Sequence, residues 1–220
     1  MSALDTSITA TTVSEVRVQS HSRLALYGIV VLFLFSGAAA LIYQVCWQRL
    51  LFESIGVDIE SVTIIVSTFM LGLGLGALAG GELVDRFPHR TVEFFASIEL
   101  TTGVFGICSP HLIHAASNLV VNSSRFTIGA VNFGLLLIPT TLMGATLPIL
   151  VAHVVRFYRN LGVSVGVLYF ANTLGAALGA AFTGFVALYY LALSSTIYIA
   201  AALNIAVGAA VWFSLRADRV

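Results

Sequence analysis

With 220 residues, 59% of them hydrophobic and only 9% charged, the chain has a mean hydropathy of +1.00. A soluble domain carries about 25% charged residues, so the solvent of this chain is mostly lipid. Net charge is zero and all ten basic residues are arginine, scattered singly, which leaves no basic patch for a nucleic-acid partner.

Residues 1–22 are rich in Ser and Thr, with Asp5, Glu15 and Arg17 and no hydrophobic period, and are expected to form a flexible cytoplasmic tail. The first apolar run predicts a helix from Leu24 to Trp47. Ala38-Ala39-Ala40 imitates a signal-peptide cleavage site, but the run stays apolar beyond it and is long enough to span, so it is expected to be retained. Further helices are predicted at Ser61–Gly81, Thr91–His114, Phe126–Val154, Val163–Leu188 and Ala192–Leu215. The expected fold is therefore all-α, a six-helix transmembrane domain over 23–216, followed by a short cytoplasmic tail at 217–220. Six crossings leave no room for a sizeable soluble domain.

Arginine collects on the cytoplasmic side of a membrane. Placing both termini inside puts Arg17, Arg23, Arg86, Arg90, Arg156, Arg159, Arg216 and Arg219 there and leaves Arg49 and Arg125 outside. Trp47 and Trp212 then fall near opposite interfaces, where indole rings tend to sit.

MLGLGLGALAGG in helix 2 and NTLGAALGAAFTGF in helix 5 align at an offset of 103 residues, pairing Gly72 with Gly175, Gly76 with Gly179 and Gly81 with Gly184. The offset suggests a three-plus-three duplication, which an odd number of crossings inverts in the membrane. Gly72, Gly76 and Gly80 equally form the flat stripe that lets helices approach in any bundle. Gly74–Ala79 matches a dinucleotide fingerprint in letters only, because it lies mid-helix with no preceding strand.

Glu99 stands out as a lone carboxylate about 13 Å into helix 3, and an intramembrane carboxylate is by default a functional hypothesis. Gly103, Gly106 and Pro110 share its face, so it is expected to point into the bundle. It reads as a proton-relay or cation-binding group, or equally as a hydrogen-bonded packing residue. Gln44 with Tyr43 and Arg49, and Tyr169 with Asn172, form a second polar set. Asn172 lies on the glycine face, where it is expected to bridge a tight helix contact. Pro139 and Pro148 remove backbone donors from helix 4. Cys46 and Cys108 read as packing residues, His111 and His114 lack ligand company for a metal, Asn122-Ser123-Ser124 is a chance-level glycosylation triplet, and no cofactor is indicated.

Two resemblances follow. Gly81, Asp85, Arg86 and Arg90 match the loop motif G-x-x-x-D-R-x-G-R-R of the major facilitator superfamily, with departures at Pro88 and His89. ALIYQVCWQRLL, IELTTGVFGICSP, PTTLMGATLPIL and VGVLYFANTLGAALGAAFTGF, in that order, resemble the membrane domain of the spermidine-synthase-like membrane proteins, in which a facilitator-like bundle is fused to a soluble aminopropyltransferase. The resemblance implies half a facilitator fold. No adenosyl loop, acidic pair or βαβ pattern follows helix 6 before Val220, so no catalytic residue carries over. The expectation is a non-catalytic module of the bacterial inner membrane, a binding or assembly subunit among other membrane subunits or copies of itself. The alternatives are a homodimeric polyamine or small-cation transporter, and an anchor for a separate soluble synthase.

Overall fold

A computed structural model describes the backbone over 2–158 and 160–217, and side chains within 26–156 and 160–214. The expected tails at 1–22 and 217–220 lie outside the described side chains. The described residues form helices and no strand: α1 (Ser2–Ile55), α2 (Asp58–Arg86), α3 (Thr91–Leu119), α4 (Arg125–Tyr158), α5 (Leu161–Phe182) and α6 (Leu193–Ala217). A 3-10 turn at Pro88–Arg90 precedes α3; after α5 come a π turn at Thr183–Ala187 and a last helical turn at Leu188–Tyr190. Six stretches are long and apolar enough to cross a membrane, including Leu26–Ile55 within α1.

Local chemistry places the boundaries. Gly56, at φ +76°, makes the reversal between α1 and α2, in the left-handed region that glycine enters without steric cost. Helix α2 stops at Arg86 because Phe87 precedes Pro88, and a residue before proline is pushed out of helical geometry. The Asn160 side chain accepts from the Val163 amide at 3.1 Å and so caps α5. The Ser124 hydroxyl does the same for α4 through the Thr127 amide at 3.2 Å.

Helix α1 runs eight residues beyond the expected end at Trp47. Gln48 and Arg49 interrupt the hydropathy, yet Leu50, Leu51 and Ile55 keep the helical period and are all buried. Trp47 is therefore not on the outer surface of the bundle. It lies in the core with no exposed surface, stacked on Tyr43 at 4.8 Å between ring centres, and its indole N–H donates to the Ser109 hydroxyl at 2.9 Å. Cys46 is packed inside as expected, whereas Cys108 is exposed on α3.

The helices pair chiefly as α2 with α4, α1 with α5, and α3 with α6. Between neighbours in lipid the attraction is close packing rather than water exclusion, and the glycines supply it. Gly72, Gly76 and Gly80 lie against Thr140, Thr141 and Ala145 of α4, in a parallel register. Gly175 and Gly179 lie against the carbonyl oxygens of Leu34 and Ala38, again in parallel register. Gly103 meets Ala201 and Ile205 while Gly208 meets Ala96 and Leu100, so α3 and α6 run antiparallel. Helices α5 and α2 are the least covered, with 22% and 28% of their spanning windows buried against 50% for α4, which puts them on the outside of the bundle.

Candidate functional site

Helix α3 carries a buried face through Phe95, Glu99, Thr102, Gly106, Ser109 and Ile113, the spacing of one side of a helix. Opposite it, α1 presents Ser36, Tyr43 and Trp47. Ser36 meets Glu99, Tyr43 meets Gly106 and Trp47 meets Ser109, so the two helices run parallel in constant register. The result is a polar seam about 15 Å long through an otherwise apolar core.

Glu99 anchors the seam. It is 1% exposed, and both carboxyl oxygens are engaged: the Ser36 hydroxyl donates to Oε1 at 2.5 Å, and the Asn204 amide of α6 donates to Oε2 at 2.8 Å. One side chain thus ties three helices together. No arginine or histidine of the described residues comes within ion-pair distance of it; Arg86 pairs instead with Glu82, and Arg90 with Glu93. A carboxyl group in that setting is costly to keep charged away from water, and its hydrogen bonds to Ser36 and Asn204 offset part of that cost.

Three further polar atoms along the seam have no hydrogen-bond partner among the described residues: the Tyr43 hydroxyl, Thr102 Oγ1 and Asn204 Oδ1. Each belongs to a residue no more than 3% exposed. Tyr43→Phe is expected to leave stability unchanged or to raise it by up to about 1 kcal/mol, because an unpaired buried hydroxyl costs what its loss restores. Thermal unfolding in detergent checks this, and a loss larger than about 1 kcal/mol would show that the hydroxyl has a partner in the protein as it exists in lipid.

Of the residues singled out from the sequence, Glu99 lies where expected, and Gly103, Gly106 and Pro110 are buried on its face. The other polar candidates are not gathered around it. Gln44 is half-buried on α1, and Tyr169 is 59% exposed on the outer side of α5. Asn172 sits at the α1–α5 crossing, where its side-chain oxygen and carbonyl lie against Gly37. Ser36 and Asn204 were not legible as site residues: serine is unremarkable in an apolar helix, and nothing local connects positions 63 and 105 residues away from Glu99.

The α2–α3 junction, which carries Gly81, Asp85, Arg86 and Arg90, is at the opposite end of the bundle from the α1–α2 turn. Gly81 faces open space. Arg86 pairs with Glu82 one turn back, and Arg90 pairs with Glu93 at 2.7 Å while lying 5.6 Å from the centre of the Phe94 ring. Both pairs are exposed and local, and such pairs contribute little. Their charges are met within the segment itself instead of across the bundle. His111 and His114 are exposed on α3, and among the described residues no three metal-ligating side chains come together.

Fold and site together define a polytopic helical protein of membrane type whose central helices are tied by a buried carboxyl group. No family model, curated protein or solved structure matches the chain.

Proposed function

We propose that this chain is a non-catalytic membrane module that works by binding and assembly inside a larger membrane complex. The observation that carries the reading is the closure of the Glu99 site. The carboxyl group is 1% exposed, and its two oxygens are taken by Ser36 and Asn204. That arrangement fastens helices and is out of reach of a water-borne substrate. The outer faces of α2, of α5 and of the π turn after it meanwhile present large apolar side chains, among them Leu78, Phe170 and Phe185 at 75%, 66% and 84% exposed, to whatever surrounds the bundle, lipid or a neighbouring subunit.

The inverted three-plus-three repeat belongs to the same proposal. A shift of 103 residues carries the Gly76–Thr141 contact onto the Gly179–Ala38 contact, whereas at the α3–α6 crossing Ala96, Leu100 and Gly103 correspond to Ala201, Ile205 and Gly208 at a shift of 105, two residues longer. The arginine distribution supports cytoplasmic termini in a bacterial inner membrane. The four sequence segments support kinship with the spermidine-synthase-like membrane domain.

Purification in mild detergent followed by mass spectrometry tests the reading. Comigration with other membrane subunits is expected; recovery as a lone monomer would sink it, and comigration with a soluble synthase would point to the anchor role. One observation favours a second reading, a homodimeric polyamine or small-cation transporter: Glu99 has no basic partner among the described residues. Uptake of labelled spermidine into proteoliposomes, with Glu99→Gln alongside, decides it. No uptake by the wild type is expected, and uptake abolished by Glu99→Gln would overturn the assembly reading.

A further inference from the structure

At the end of the bundle that bears the α1–α2 turn, a cavity of about 590 Å³ lies between the beginnings of α2 and α4. Its walls are apolar, formed by Ile59, Ile64, Phe126 and Phe133, with Gly129 and Ala130 also lining it. Glu60 and Arg125 also line it. These two opposite charges do not pair with each other, and neither has another ion-pair partner among the described residues. The volume is that of a small-molecule site, and the charges lie in the first turn of each helix, at the level where a spanning helix meets the headgroup layer.

We propose that this groove is a binding site for one zwitterionic phospholipid of the phosphatidylethanolamine class, its phosphate on Arg125, its ammonium on Glu60 and an acyl chain between α2 and α4. Charge complementarity selects the occupant. A lipid tail gains no water-exclusion free energy on moving from the bilayer into an apolar groove, so any preference must come from the rim. A guanidinium presents a fork of donors suited to a phosphate, and the positive ends of two parallel helices add to it. Alone, that would favour an anionic lipid. The Glu60 carboxylate beside it disfavours a second negative charge and accepts from a primary ammonium, which has N–H donors that a quaternary choline lacks.

Native mass spectrometry of the detergent-purified protein with equimolar phosphatidylethanolamine, phosphatidylglycerol and phosphatidylcholine tests this independently of the assembly reading. The wild type is expected to retain one phosphatidylethanolamine in preference to the other two. Arg125→Gln should lower its occupancy about fivefold, the scale of a partly exposed charged contact. Glu60→Gln should reverse the preference toward phosphatidylglycerol, a change that loss of folding cannot produce. Ala130→Trp, which fills the groove and leaves both charges in place, should abolish retention of all three while the thermal midpoint stays unchanged. Equal retention of the three lipids by the wild type, or an unaltered preference in Glu60→Gln, would overturn the assignment.

Discussion

Gly175→Ala is expected to destabilise the protein by about 1–3 kcal/mol, whereas Gly166→Ala and Gly74→Ala are expected to be neutral or mildly stabilising. All three sit inside helices, so intrinsic propensity favours alanine at each by up to about 1 kcal/mol. Surroundings separate them. A β-carbon at Gly175 would overlap the carbonyl oxygen of Leu34, which is backbone and has no rotamer to retreat into, while one at Gly166 or Gly74 meets nothing within 4 Å. Relief at Gly175 requires α1 and α5 to separate. A gap of about 0.5–1 Å already forfeits a quarter to a half of each dispersion contact, along the interface that joins the two helices. Gly76→Ala should behave like Gly175→Ala, because its β-carbon would overlap the Thr141 carbonyl oxygen on the α2–α4 side. Unfolding in mixed micelles with increasing denaturing detergent measures the series. Equal costs at Gly175 and Gly166 would refute the close approach of α1 to α5.

The second large effect concerns Glu99. Glu99→Ala is expected to cost about 2–3 kcal/mol, and Glu99→Gln less than about 1. Hydrogen bonds between helices in a membrane average only about 0.6 kcal/mol each, so the two bonds to Ser36 and Asn204 account for about 1 kcal/mol of the alanine effect. The rest comes from the void and from an Asn204 amide left buried without an acceptor. Ser36 is less affected, since a helical serine can turn back to the carbonyl four residues earlier. Glutamine has the same shape. Its amide oxygen accepts from Ser36, and its nitrogen finds Asn204 Oδ1, which has no partner in the native arrangement, once that amide turns over. Stability measured for both variants, together with Asn204→Leu, separates clamp from charge site. If glutamine costs as much as alanine, the site needs the carboxylate itself, and with it a bound cation, which would favour transport over assembly.

Much of the architecture was legible because it depends on quantities summed along the chain. Run length against bilayer thickness is read without knowing any contact, and the six predicted helices all have their counterparts, Ser61–Gly81 within α2 (Asp58–Arg86) among them. Glu99 was legible for a related reason. A carboxyl in an apolar run is conspicuous, and glycines and a proline at helical spacing indicate the side to which it points. The end of the first helix was misplaced because hydropathy falls at Gln48 and Arg49, though the helix does not end there. The Leu50, Leu51 and Ile55 periodicity was the available signal.

The chain alone therefore determined its apolar character, its six helices long enough to cross a membrane, the glycine stripes and the singular carboxyl, since each follows from residue type and spacing along one helix. Tertiary structure alone decided that Glu99 is shared between Ser36 and Asn204, that Tyr169 faces outward, that Gly81 packs on nothing, and that Glu60 and Arg125 border one groove. The reason is physical. These are relations between helices tens of residues apart, set by which small side chains allow two backbones to touch, and a single sequence carries no local trace of which neighbour each stripe will meet.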